Sequence, residues 1–466
     1  MHFLNSRKSI FILSITICMV TPAIVRAQTS DEAYSLNKLV TAAEKYMPSL
    51  QQQRALEGEA QANILDTKHM ALPFLKFNAQ TSLGSSNSVR GSYFPMGVAV
   101  SSSGSVTDQQ LYQAALGDLA TLYSEYDICT FGLNKARNQN AIAGASFSAA
   151  NYNKSVYQLK IDLAKLYFSI LSYTNLRDID KQNVERYATI DTVIQSLTRS
   201  GIKPGSDFDQ ANAELANAKI SLNQTNGSLE QGLQLLSAYT GISLDSLNIS
   251  NRILNASTLD NKLFEDSAMQ SNPFLDYYKS NNDYLQTSVA VIRKSYLPKI
   301  TLVGSVWGRA SSYDADEKFD PLYTGLGFQR FNYAAGVAFI YDFMDGLHKK
   351  DKIAESNFEL LAGQEAYNQE KLDLASATTQ ANMQLQVVLD NLKQLSVQKK
   401  SALAVFNDKQ AQYKAGIVTL IDLTNAGFVL YRSQVDYLNA VDSWYSASLN
   451  KAIATGNLDN FIQTIN

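Results

Sequence analysis

The chain has 466 residues, with 40 basic against 43 acidic side chains, 45% hydrophobic residues and only 18% charged ones. This balance, with no basic patch, argues against a nucleic-acid partner. His2, His69 and His348 are scattered, none at metal-ligand spacing with a cysteine or carboxylate, and neither a GxSxG elbow, a Walker loop nor an HExxH motif is present, so the composition points away from an enzyme and from a bound cofactor or metal.

The first residues resemble an export address. Arg7 and Lys8 form a basic start, Ile10 to Val20 an apolar run, and Val25-Arg26-Ala27 a small-residue cleavage pattern that would leave Gln28 first. The run is too short to cross a bilayer as a helix, which needs about 20 residues. Cys18 follows Ile15-Thr16-Ile17, not the small residues of a lipid-attachment site. A signal peptide over 1–27 is therefore expected. Its removal leaves 37 basic against 43 acidic residues and Cys129 as the single cysteine, so no intrachain disulfide is expected in spite of the oxidising compartment.

The rest of the chain copies itself once. Met47-Pro48-Ser49-Leu50 matches Asn272-Pro273-Phe274-Leu275, and Leu72-Pro73 matches Leu297-Pro298 at the same offset. Tyr126-Asp127 matches Tyr341-Asp342, Gly201 matches Gly416, Asp207 matches Asp422, Ala211 matches Ala426 and Thr240-Gly241 matches Thr455-Gly456, all at a second, slightly shorter offset. The change of offset lies between Pro73 and Tyr126, which places a longer loop in the first copy. The boundaries expected are 28–257 and 258–466.

Each copy predicts a helix, then a strand hairpin, then a very long helical hairpin. In the first, residues 33–70 are helix-rich and interrupted at Pro48. After Pro73 the period changes to two, with Phe77, Ala79, Thr81 and Leu83 on one face and Lys76, Asn78, Gln80 and Ser82 on the other. A Ser/Gly-rich loop over 85–105 and a return strand from about Tyr112 to Asp127 complete a hairpin near 74–127. A helical hairpin is expected over 132–240. In the second copy, a hairpin near 299–343 runs through Ile300, Leu302 and Val306, a polar, aromatic loop over 311–327, and then alternates Phe331, Tyr333, Ala335, Val337 and Phe339 against Asn332, Ala334, Gly336 and Ala338. Both loops are expected outside the cell. An ordinary hairpin on a soluble core shows similar alternation; aromatic weight at the strand ends, small or polar residues inside and the export signal favour lipid on the outer face. The last helical hairpin, 346–455, opens with some 70 proline-free residues, roughly 100 Å of helix. Leu385, Val388, Leu389, Leu392 and Leu395 give it a coiled-coil spacing.

Four strands cannot close a membrane barrel, since the smallest single-chain barrels have about 8, and an open edge in lipid leaves unpaired backbone groups. Three chains would supply twelve strands.

The duplication, Tyr126-Asp127 and Tyr341-Asp342 with Gly132-Leu133 and Gly346-Leu347 after them, and the turns Gly201-Ile202-Lys203-Pro204-Gly205-Ser206-Asp207 and Gly416-Ile417-Val418-Thr419-Leu420-Ile421-Asp422 together resemble the outer membrane efflux family, the TolC-like ducts. The resemblance covers essentially the whole mature chain. It implies a mainly α fold with a β-barrel part: four transmembrane strands and long coiled-coil helices per chain, forming in a homotrimer a twelve-stranded barrel in outer-membrane lipid and a twelve-helix tunnel through the periplasm. It implies an export duct for small molecules such as drugs and toxic solutes, worked by a periplasmic adaptor and an inner-membrane pump, proton-driven or ABC, with no catalysis of its own. The same duct serving one-step protein secretion is an alternative; a soluble periplasmic coiled-coil scaffold is a third reading, against which the alternating strands count.

The resemblance also places a constriction and adaptor-contact tip at Gly201, Asp207, Tyr413, Gly416, Asp422 and Asn425. Tyr413 matches the family's constriction tyrosine, and Asp207 and Asp422 match acidic positions. Val418 stands where a relative has a latch arginine, and Asn425 where it has a second acidic residue. A plainer reading is open beside it: Gly201 and Gly416 end helices in left-handed geometry, and Asp207 and Asp422 cap the helices that follow.

Overall fold

In the computed structural model, residues 34–85, 87, 106–107, 109–247, 249, 272–314 and 316–465 are described. The expected signal peptide and most of the loop 85–105 lie outside them.

Each copy begins with helix broken or opened by proline. Helix α1 (Leu36–Tyr46) ends at Met47, whose extended backbone is what a residue before proline adopts, and Pro48 then opens α2 (Pro48–His69) at a position where its missing N–H costs nothing. In the second copy Pro273 opens α5 (Pro273–Ser295) in the same way, with the Asn272 side chain accepting from the Phe274 N–H at 3.0 Å.

Strands β1 (Phe74–Gly84), β2 (Ala115–Cys129), β3 (Lys299–Ser311) and β4 (Arg330–Ile340) form one antiparallel sheet in the order β1-β2-β3-β4. The central β2–β3 pairing joins the two copies. Strand β2 starts at Ala115 rather than at the expected Tyr112, because the backbone pairing with β1 ends at Gly84–Ala115; beyond it the Asn87 side chain, not a strand, bonds the N–H and the carbonyl of Leu111, each at 2.8 Å. The segment after β3 is more ordered than a plain loop: Tyr313 bridges Phe319, and a 3-10 turn covers Leu322–Leu326.

The register sorts side chains by face. Phe77 pairs with Leu122, Leu122 with Val306 and Val306 with Tyr333; Tyr126 pairs with Leu302 and Leu302 with Val337. Their large apolar side chains are all exposed in the single chain, Tyr333 by 85%. The opposite face carries Lys76, Gln80, Thr121, Glu125, Asp127, Ser305, Arg309 and Asn332. This is an inside-out sheet, apolar where a soluble protein would be wet, and among the described residues the edges of β1 and β4 pair with no further strand.

Helix α3 (Leu133–Arg199, 67 residues) turns back as α4 (Gly205–Thr240), and α6 (Asp345–Lys414, 70 residues) as α7 (Leu420–Thr455); α8 (Leu458–Ile465) closes the chain. Two cores hold the hairpins together. One lies around Trp444, Tyr445, Phe168 and Phe461, with the Phe168 and Tyr445 rings stacked at 4.6 Å. The other lies at the far tips. Among the described residues no helix is long and apolar enough to cross a membrane.

Candidate functional site

The two turns at the hairpin tips come together. Gly201 and Gly416 both take φ of +75°, where a side chain would be strained. The Gly201 N–H donates to the Thr198 carbonyl and the Ile202 N–H to that of Leu197, at 3.0 and 2.9 Å; Gly416 and Ile417 repeat this on Tyr413 and Gln412 at 3.0 and 2.9 Å. Each glycine thus ends its helix in a Schellman turn, which satisfies carbonyls the helix end would otherwise orphan.

The two aspartates differ. Neither is the N-cap residue that the plainer sequence reading makes it: Pro204 and Thr419 occupy those positions, and both aspartates stand at the third position inside. Asp422 forms a capping box. Its carboxylate accepts from the Thr419 N–H at 3.0 Å and hydroxyl at 2.6 Å, while the Thr419 hydroxyl accepts from the Asp422 N–H at 3.2 Å. The Thr419 hydroxyl, then its backbone N–H, hold this exposed carboxyl below the usual range. No such box forms at Asp207, because proline has no side-chain oxygen to reciprocate.

Tyr413 is buried, 7% exposed, within a tip core built from Tyr187, Ile190 and Ile194 of α3, Ala211 and Leu215 of α4, and Phe406, Leu420 and Leu423 of the second hairpin. Its hydroxyl is buried without a hydrogen-bond partner. Burial, and then the negative charge of Asp207, push its phenol above the ordinary value. Lys203 Nζ lies 5.4 Å from the centre of its ring. Asn425 sits on the exposed side of α7, in one stripe with Ile421 and Phe428. The structure therefore gathers Asp207, Tyr413 and Lys203 about one ring and places Asp422 and Asn425 on an outer face. Lys203 belongs to this cluster and is a residue that sequence reasoning did not single out. It is the first-copy counterpart of Val418 at the offset that pairs Gly201 with Gly416, so comparing the two turns position by position would have drawn attention to it.

Above the tips a polar seam ties α3 to α7. Asp180, 1% exposed, accepts from Tyr431 at 2.8 Å and from Thr225 of α4 at 2.6 Å. Burial and then the hydrogen bond to Asp180 push the Tyr431 phenol up to about 12. Higher, Ser172 donates to Asp442, whose carboxyl burial raises to about 6. Higher again, the Tyr157 hydroxyl donates to the Ile453 carbonyl at 2.9 Å. Among the described residues no group of three or more His, Cys, Asp or Glu side chains is arranged to hold a metal ion.

The family model for outer membrane efflux proteins matches residues 39–242 and 266–457. The chain belongs to the outer membrane efflux protein family. One matched stretch falls on each copy, and membership places the strands in the outer membrane and the long hairpins in the periplasm. No curated protein matches the sequence significantly. Among solved structures, the outer membrane protein VceC of Vibrio cholerae superposes with a TM-score of 0.72 at 15% identity, covering 90% of this chain and 96% of that one. The CmeC outer membrane channel of Campylobacter jejuni gives 0.73 at 15%, over 92% and 89%. The MtrE outer membrane channel of Neisseria gonorrhoeae, in its open state, gives 0.66 at 17%, over 91% and 89%. At these identities the likeness is one of fold: helical barrel on β-barrel. The efflux-family chain is an outer-membrane channel-tunnel, and its relatives are channels, not enzymes.

Proposed function

We propose that three copies of this chain close into a twelve-stranded barrel continuous with a twelve-helix tunnel, and that the assembly exports small molecules when a periplasmic adaptor and an inner-membrane pump engage its tips. The observation that carries the reading is the sheet: four strands, apolar on one face, open at both edges. Each unpaired edge group in lipid costs several kcal/mol, so the edges of β1 and β4 must pair with sister chains. The tip residues Gly201, Asp207, Tyr413, Gly416, Asp422 and Asn425 would form the constriction.

Cross-linking in mild detergent should give a trimer, and cells lacking the protein should become more susceptible to pump substrates such as dyes and detergents. Only monomers on cross-linking would refute the closure. Loss of a secreted protein, with drug susceptibility unchanged, would move the assignment to protein export.

A further inference from the structure

The sheet face opposite the apolar one treats its charges differently at its two ends. Near the long helices, Lys299 Nζ lies 3.2 Å from Asp127 and 3.6 Å from Glu125, and the Thr301 hydroxyl donates to Asp127 at 2.6 Å. That end is neutral, with Lys76 and Lys299 against Glu125 and Asp127. At the other end Arg309 and Arg330 are register partners across β3 and β4, on the same face, both exposed. Like charges directly opposite in a sheet repel. Among the described residues no ion pair joins either arginine to a carboxylate, those of Asp316, Glu317 and Asp320 in the following loop included. Arg330 Nη1 makes one 3.3 Å hydrogen bond, to the Gln329 carbonyl. One step inward on this face lies Trp307, paired with Asn332.

We propose that Arg309 and Arg330 form a binding site for oxyanions, the carboxylate or phosphoryl groups of anionic cargo, on the inner wall of the barrel near its outer mouth. The inference rests on the duct reading, which turns this face to the lumen. Three-fold closure then sets six guanidinium groups at one level of a water-filled tube with low-dielectric walls, which focus their field and concentrate anions there. Guanidinium, planar and forked, is the side chain suited to bidentate contact with such oxygens. Trp307 beside it gives an apolar surface for the rest of the cargo. The repulsion between the facing arginines is unrelieved within the chain, and a bound anion would relieve it.

The test is conductance of the reconstituted protein in planar bilayers, with inorganic pyrophosphate as the probe. Pyrophosphate should block the wild type, and Arg309→Gln with Arg330→Gln should raise the half-blocking concentration at least tenfold and shift the reversal potential in a KCl gradient toward cations. Arg309→Lys with Arg330→Lys keeps the charge and should keep the reversal potential while weakening block several-fold, which separates the fork from the charge. A conducting double-Gln variant with unchanged block and selectivity would overturn this site and leave the duct reading intact. A trimeric wild type that never conducts would overturn the duct reading itself.

Discussion

The tip of the first hairpin and the tip of the second share a glycine at φ +75°, an isoleucine after it and an aspartate further along the turn, yet the aspartates do different work. Asp422 is engaged by Thr419 in a reciprocal cap. Asp207 follows Pro204, has no such partner, and acts instead on the Tyr413 phenol through its charge. The turns differ at each position from Lys203 to Ser206 against Val418 to Ile421, and proline in place of threonine at the helix entrance is the difference that leaves Asp207 without a reciprocal cap. The same divergence runs up the seam. At the offset that aligns the two tips, Asp180, Thr225 and Tyr431 have Leu395, Ala440 and Ala216 as their counterparts, and Ser172 and Asp442 have Val387 and Gly227. A duplicated fold keeps its backbone landmarks, while the residues that tie the two copies together have no matching ties at their counterpart positions.

The largest effect should come from the tie with the most buried charge. Asp180→Ala would strand the hydroxyls of Tyr431 and Thr225, each costing about 1–3 kcal/mol when left unpaired and buried. A loss of about 2–4 kcal/mol is expected in denaturant unfolding, against no more than about 1 kcal/mol for Asp180→Asn, which keeps an acceptor. Equal losses in the two variants would mean that charge, not hydrogen bonding, matters at this point, and the contrast with the apolar counterparts would have to be redrawn.

A smaller effect, with a pH signature, is expected at Asp442. Its folded pKa near 6 lies above the unfolded value of about 3.9, so the native state holds the proton more tightly. Its contribution to stability therefore falls as pH rises from about 4 to about 6 and stays low above that. Asp442→Asn removes the ionisation and keeps an acceptor for Ser172. It should be more stable than wild type by about 1 kcal/mol at pH 7.5, the part-exposure of the site having been allowed for, and equal to it at pH 4. A difference that does not vary with pH would show that Asp442 is not strained by burial.

Much of this architecture is legible in the sequence because it is punctuated locally. Pro48, Pro73, Pro273 and Pro298 mark where helices begin and strands take over, alternation from Phe331 to Phe339 marks a two-faced strand, and two constant offsets align the copies. The α6 helix, expected from Gly346 to Ala415, runs Asp345–Lys414. The ties between hairpins are another matter. A lone aspartate at position 180, in a helix of three-and-four spacing, looks like any solvated side chain, because its burial depends on how α7 of the second copy lies against α3 of the first. The pair Thr419-x-x-Asp422 is a capping box in plain view, but matching the aspartates across the copies hides the threonine, which has no match.

That threonine sets the finest test of the difference between the tips. If Asp207 and Asp422 were equivalent caps, replacing either by asparagine would cost the same, and little, since asparagine caps about as well as aspartate at the N-cap position. They stand instead at the third position. There the Asp422 carboxylate takes two hydrogen bonds from Thr419 and its negative charge faces the positive end of the α7 dipole. An amide accepts those bonds more weakly and loses the charge term. Asp422→Asn should therefore lower the melting temperature measurably, and only the part that comes from the Thr419 hydroxyl should disappear in a Thr419→Ala background, where the backbone bond and the dipole attraction remain. Because the Asp422 pKa is lowered in the fold, its stabilisation is present above the unfolded value near 4 and lost as pH falls through the folded value, so the gap between the Asn variant and wild type should close progressively on acidification. Asp207→Asn lacks the cap and should shift the melting temperature scarcely at all, within about 0.3 kcal/mol from the dipole alone. Its effect should be found in conductance, as a weaker preference for cations at the tip. If Asp207→Asn instead destabilises as much as Asp422→Asn, and leaves ion preference untouched, the two tips are equivalent after all and Pro204 has displaced nothing.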